Sequence, residues 1–215
     1  MFNQFTTHWV TAWKRAPFRI EWLISLIGLL TVLSIFSQFV NWVETRQGVV
    51  LSDPVLALIK PADLTWLTFA IIYLSLIGSI AAMSFSPERL TMAIQTYTVM
   101  VLLRMGAMYL IPLDAPPAMI ALNDPLVEIL GTGKLLTRDL FFSGHTATIF
   151  VLFLCVQQKF LKIILLAGTF VLAACLLTQH VHYSVDVFAA PFFAYGANRL
   201  VFLFHRKVKP NSIVS

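Results

Sequence analysis

Two short polar segments interrupt an otherwise apolar chain, Ser143-Gly144-His145-Thr146 and His182-Tyr183-Ser184-Val185-Asp186. His182 and Asp186 are four residues apart, so on a helix they share a face. A carboxylate beside an imidazole fixes its tautomer and stabilises its cation, which suits either a nucleophile or a base. Ser143 and Gly144 stand where an apolar run begins. Free backbone N–H groups and the positive end of a helix make such a place a natural phosphate cradle. His145, in the first turn, would point into the same space and could protonate a leaving oxygen. Arg104 lies in another apolar run, where a guanidinium needs an anion, and phosphate matches its fork. Arg138 and Asp139 immediately precede the Ser-Gly-His segment, with Lys134 one turn-length earlier. Ionisable groups at membrane depth are costly and usually functional. Together these residues describe a site that cuts and transfers phosphate.

Each residue alone also has a plainer role. A histidine in a membrane helix can serve as an interhelical hydrogen-bonder. Arg104 can pair with Glu128 or Asp139, Arg138 can anchor at the interface, and Asp186 can cap a helix. Arg199 reads as a snorkelling side chain. A competing chemistry is zinc held by His145, His180, His182 and Asp139, although His180-x-His182 is a poor helical pair of ligands. The phosphate reading requires neither a metal nor an organic cofactor.

The elements that must position these groups follow from composition. The chain has 215 residues, 59% hydrophobic and 12% charged, with a mean hydropathy of +0.83. Such a chain is a multispanning membrane protein, not a soluble domain. Six apolar runs lie at about 22–41, 64–83, 91–112, 141–158, 161–179 and 185–204, each near the ~20 residues that cross a bilayer. The expected fold is therefore all-α, an integral membrane bundle of six transmembrane helices. Phe5, Trp9 and Trp13 recur every four residues ahead of Lys14, Arg15 and Arg19. That pattern predicts an N-terminal amphipathic helix lying in the interface. The expected organisation is an interfacial helix over 1–20, a catalytic membrane domain over 21–205 and a basic tail over 206–215. Cys155 and Cys175 lie inside apolar runs and read as packing residues. No aromatic-rich basic stretch supports nucleic-acid binding.

The formal net charge is +5, and in a membrane protein basic excess reports topology. With the N-terminus inside, the cytoplasmic side carries Lys14, Arg15, Arg19, Arg89, Lys159, Lys162, Arg206, Lys207 and Lys209, against Arg46, Lys60, Lys134 and Arg138 outside. This favours N-in, C-in. It brings the span ends bearing Arg104, His145, His180 and Asp186 to the outer face, a periplasmic or exoplasmic site. Short loops fit a bacterial inner membrane. A transporter or lipid-binding scaffold would more often show internal symmetry and polar groups at the midplane.

Arg138-Asp139-Leu-Phe-Phe-Ser143-Gly144-His145-Thr146 resembles the Gly-Asp-x-x-x-Ser-Gly-His-Thr motif of sphingomyelin synthases, and His180-x-His182-Tyr183-x-x-Asp186-Val187 resembles their His-x-His-Tyr-x-x-Asp-Val motif. These enzymes form a branch of the type 2 phosphatidic acid phosphatase superfamily. Arg104, with Leu110-Ile-Pro112-Leu downstream, looks like the family's arginine-containing span. The resemblance covers roughly residues 100–200. It implies His182 as a nucleophile that forms a phosphohistidine, Asp186 as its orienting partner and His145 as general acid and then base. It implies Arg104 and Arg138, with the Ser143-Gly144 turn, as phosphate holders. Asp139, Lys134, His180 and Tyr183 fall to structural or head-group roles. The implied substrates are a phospholipid donor and an acceptor that is a lipid alcohol such as ceramide, or water. Hydrolysis would make the chain a lipid phosphate phosphatase acting on a phosphomonoester or pyrophosphate lipid. Position 138 departs from the synthase motif, being Arg where that motif has Gly. The superfamily's Lys-x6-Arg-Pro motif and its Ser-Arg pair, where this chain has Cys175 and Leu176, are absent, as they are in the synthase branch.

Overall fold

Apolar runs bounded by proline, glycine and polar residues must close their backbone hydrogen bonds within each segment, so they become helices. A computed structural model describes residues 2–122 and 136–208. Its elements are α1 (Phe2–Lys14), α2 (Ala16–Glu44), α3 (Thr65–Met83), α4 (Pro87–Leu110), α5 (Gly144–Cys155), α6 (Lys159–Thr178) and α7 (Ser184–Val208), with one 3-10 turn at Leu56–Leu58. Among the described residues there is no strand, only an isolated bridge between Val49 and Leu113. Lys134 and Glu128, and the tail from residue 209 onward, lie outside the described residues.

Five helices, α2, α3, α4, α6 and α7, are long and apolar enough to cross a membrane, which supports a multi-pass membrane protein. The expected run at 141–158 forms a helix of only 12 residues, Gly144–Cys155. Hydropathy counts Phe141 and Phe142 as helix, but both adopt left-handed backbone, with φ of 62° and 43°. Ser143 caps the helix after them, and Val156 leaves it in extended conformation at the other end. Non-helical backbone at this depth is tolerated when it is buried in protein, and Phe142 and Ser143 are both fully buried.

Helix α5 is the hub. It packs against α3, α4, α6 and α7, while α4 also packs against α2 and α7. The core around it includes Ala147, Ile149, Leu165, Leu172 and Leu176, none accessible to solvent. Helix α7 contributes Ala190, Ala194 and Ala197, all fully buried and spaced to share one face. Small residues let helices approach closely where lipid offers no hydrophobic drive between them. The outer surface is reversed, with Ile24, Leu74, Ile77, Phe170 and Phe188 largely exposed. In water that belt would be an aggregation surface, whereas lipid tails cover it at no cost.

The helices alternate in direction. Ala62 N–H donates to Thr178 C=O, which joins the start of α3 to the end of α6, and Ser143 N–H donates to Asp186 C=O, which joins the starts of α5 and α7. Arg46 donates to the Tyr109 carbonyl, which joins the ends of α2 and α4. All these termini gather at one end of the bundle. At the other end α1 folds across the α3–α4 turn, where Trp9 Nε1 donates to Ser84 C=O at 2.8 Å and Arg15 pairs with Glu88.

The small-residue face of α7 gives a direct test. Ala194→Leu overpacks the seam and should cost about 1–3 kcal/mol, read as a lowered midpoint of thermal unfolding in detergent. An unchanged midpoint would mean that the seam is loosely packed.

Candidate active site

The turn between α6 and α7 is built by a histidine in an unusual place. His180 has φ of 54°, in the left-handed region that follows a helix end and usually belongs to glycine. His180 N–H donates to Leu177 C=O and Val181 N–H to Leu176 C=O, the paired bonds that close a helix C-terminus. The His180 ring is bonded through Nε2 to the Ile59 carbonyl at 3.0 Å. Its role is to shape the turn. Tyr183 is equally committed. Its hydroxyl donates to the Asp114 carbonyl at 2.8 Å and accepts from Leu51 N–H at 3.1 Å.

His182 emerges from this turn, buried beside Asp186 in the first turn of α7. His182 Nδ1 lies 3.4 Å from Asp186 Oδ2, long for a hydrogen bond. The same oxygen accepts from Tyr183 N–H at 3.2 Å, as a carboxylate three residues into a helix does for its cap. Asp186 Oδ1 has no hydrogen-bond partner among the described residues. Burial pushes the His182 pKa below its ordinary value, against the opposing pull of Asp186.

A second carboxylate completes the turn from far away. Asp53, in the α2–α3 connection, accepts from Ser184 N–H at 2.6 Å and from Ser184 Oγ at 3.1 Å, capping α7 from another segment. It also closes its own turn through Val55 N–H and Leu56 N–H. Burial raises the Asp53 pKa, but the bonds from Ser184, Leu56 and Val55 outweigh it and hold the carboxyl below its usual range.

The Ser-Gly-His segment meets this turn across the bundle. The left-handed Phe141 and Phe142 cost roughly 1–2 kcal/mol each, and contacts hold them there. Phe142 stacks on Phe193 with centroids 4.4 Å apart, and the next residue is anchored by Ser143 N–H on the Asp186 carbonyl, at 3.0 Å. Ser143 is fully buried, and its hydroxyl accepts from Thr146 N–H, so it serves as the helix cap. His145 follows one turn in, its ring centroid 6.5 Å from that of His182.

Arg104 reaches this junction from α4, 3% exposed. Its Nη2 donates to Asp139 Oδ1 at 2.7 Å and to the Asp139 carbonyl at 3.2 Å. Its Nε has no partner among the described residues. Burial raises the Asp139 pKa, but the Arg104 charge and hydrogen bond prevail and keep it low. Gly144 explains its own identity. A Cβ there would collide with the guanidinium, standing 2.6 Å from Arg104 Cζ.

The structure thus brings His145, His182, Asp186, Arg104, Asp139, Ser143 and Gly144 to one end of the bundle. Arg138, expected to hold phosphate, is engaged from two other segments. Its Nε donates to Asp114 Oδ1 and its Nη1 to the Glu44 carbonyl, while its own N–H binds the Glu44 carboxylate. Among the described residues no three His, Cys, Asp or Glu side chains converge as a metal-ligand set. Sequence reasoning did not find Asp53, Glu44 or Asp114. Only the Asp53-Pro54 pair carried a turn signal, and that says nothing of a partner 131 residues away.

Residues 138–206 match the protein family described as PAP2 superfamily C-terminal. The match supports the type 2 phosphatidic acid phosphatase superfamily and a lipid phosphatase or phosphotransferase type of function. It spans the Ser-Gly-His segment, the His182 turn and α5 to α7. A comparison with curated proteins gives no match.

Two outcomes follow from this geometry. Asp53→Asn keeps an acceptor but exchanges charged for neutral hydrogen bonds and should cost about 1 kcal/mol, with faster amide hydrogen exchange over residues 182–187. Because the folded pKa of Asp53 is depressed, its contribution is present above the ordinary carboxyl value of about 3.9 and lost as pH falls below it. The wild-type excess over Asp53→Asn should therefore shrink on acidification, and a gap that widened would reverse the sign of the argument. Gly144→Ala should displace the Arg104 guanidinium and weaken binding of vanadate, a phosphoryl mimic, by tenfold or more. Unchanged vanadate affinity would separate Arg104 from anion binding.

Proposed function

We propose that this chain is a six-pass membrane phosphotransferase that cleaves a phospholipid through a phosphohistidine and passes the phospho-head group to a lipid alcohol such as ceramide. The observation that supports it most is the meeting of His182–Asp186, His145 and Arg104 at one end of the bundle, within or beside the segment that matches the superfamily. The sphingomyelin synthase motifs supply the preference for transfer.

The chemistry runs as a double displacement. Asp186 accepts a hydrogen bond from the Nδ1–H of neutral His182, which fixes the tautomer whose Nε2 lone pair is the nucleophile and stabilises the imidazolium formed on attack. A new N–P bond forms as the ester P–O bond breaks, and His145 donates a proton to the departing alkoxide, releasing an alcohol such as diacylglycerol. Arg104 balances the charge on the non-bridging oxygens, with Asp139 retained or displaced as phosphate enters its fork. His145, now a base, takes the proton of the acceptor hydroxyl. Its oxygen attacks phosphorus, the N–P bond breaks and His182 is regenerated. With water as acceptor the same steps make a phosphatase, so the two readings share their first half and differ in how far water is excluded from the intermediate. In this reading residues 1–20 form the interfacial helix, 21–205 the catalytic domain and 206–215 a basic tail. The excess of basic residues at the other end supports a site on the periplasmic or exoplasmic side, and in this reading the membrane is a bacterial inner membrane.

The test is a product assay on purified protein in detergent, with phosphodiester and phosphomonoester lipids, with and without ceramide, read by mass spectrometry. A head-group-bearing sphingolipid is expected from wild type, and His182→Ala should reduce turnover by about three orders of magnitude or more. Inorganic phosphate released from a monoester regardless of ceramide would replace transfer with hydrolysis. Identical products from wild type and variant would sink the phosphohistidine mechanism. The nucleophile must be neutral, and burial lowers the His182 pKa. Activity should therefore persist below pH of about 6.5, the ordinary histidine value, and fall only as pH drops through the lowered one.

A further inference from the structure

The end of the bundle away from the histidines carries a second built feature. Where α1 turns into α2, an open cleft of about 370 Å³ is lined by Trp9, Val10, Trp13, Lys14 and Arg19. Its wall is fixed. Trp9 is pinned by its bond to the Ser84 carbonyl and packs edge-on against Trp22, centroids 5.0 Å apart, while Phe18 stacks on Trp22.

The charges around the cleft are unbalanced. Glu88 is taken by Arg15, and Glu21 is engaged by His205 Nε2 at 3.3 Å and by Gln95 Nε2 at 3.4 Å. Among the described residues, Lys14 and Arg19 have no carboxylate partner. Two cations thus stand at the mouth of an aromatic cleft with the nearby acids committed elsewhere. Below the cleft, Ile20, Ile24 and Ile27 lie on one face of α2, exposed at 59%, 65% and 62%. That face is an apolar track leading away from a cationic mouth, at the depth where α2 enters the membrane.

We propose that this cleft binds an anionic phospholipid of the surrounding bilayer, its phosphate between Lys14 and Arg19, its glycerol region against Trp13 and Val10, and an acyl chain along Ile20, Ile24 and Ile27. Charge complementarity selects the anionic head group, since a zwitterionic one brings an ammonium with no free carboxylate to meet. Continuity with the apolar track selects a lipid over a soluble anion. This is a resident lipid site at the opposite end of the bundle from the reacting groups, and it stands whether or not the chain transfers phosphate.

The test uses the full chain in detergent, titrated with phosphatidylglycerol or with phosphatidylcholine of the same acyl chains, with bound lipid counted by native mass spectrometry. Wild type should hold phosphatidylglycerol roughly tenfold more tightly or better, since each basic residue near a membrane surface adds attraction for anionic lipid. Lys14→Gln with Arg19→Gln should erase that preference while leaving phosphatidylcholine binding unchanged, and Lys14→Arg should retain it. If the double variant does not fold, Arg19→Gln alone should cost about threefold or more. Equal retention of the two lipids by wild type would overturn the proposal, as would a preference that survives in the double variant. Displacement of phosphatidylglycerol by excess inorganic phosphate would mean a site for free anions and would equally overturn it. Retained lipid preference with no turnover on any lipid panel would leave this site intact and count only against the catalytic reading.

Discussion

A carboxylate fully removed from solvent must be compensated by hydrogen bonds, and Asp186 is that carboxylate. One side-chain oxygen serves both His182 and the amide of Tyr183, and its backbone carbonyl takes the Ser143 amide from another helix. One residue therefore orients the imidazole, starts α7 and docks α5 against it. The buried position of His182 and the left-handed Phe141–Phe142 pair can persist because this junction ties their segments down. The second oxygen is unspent, so a proton or a donor brought by substrate has a defined place to go.

The other buried charge, Arg104, is compensated by Asp139 rather than by anything in its own helix. The Gly144 cleft through which it reaches has no spare volume. A guanidinium held this way is already oriented and already dry, so an anion that replaces or joins Asp139 meets it with little reorganisation.

Much of this was legible in the sequence because membrane helices announce themselves by length and hydropathy. The spacing of His182 and Asp186 needs only the helical repeat. Where the reading fell short, the cause was tertiary. Phe141 and Phe142 look like transmembrane residues by composition, yet their backbone is set by Phe193 and Asp186. Arg138 looks like a phosphate ligand by position, and nothing near it in sequence foretells Glu44 and Asp114, which reach it from two other segments. His180 reads as structural or head-group-binding, and the turn it shapes through its left-handed backbone and its bond to Ile59 is not encoded by its neighbours. Asp53 gave no hint, since no local pattern encodes a helix cap supplied from a loop between two earlier spans.

The long-range bonds also impose an order in time. Asp53 waits for Ser184, Ser143 waits for the Asp186 carbonyl, and Phe142 waits for Phe193. All three partners lie in α7, which leaves the ribosome after the segments it completes. Until α7 enters the membrane, Asp53 lacks its bonds from Ser184 and the Phe141–Phe142 turn lacks its support, so His182 and the scaffold that shapes it arrive together.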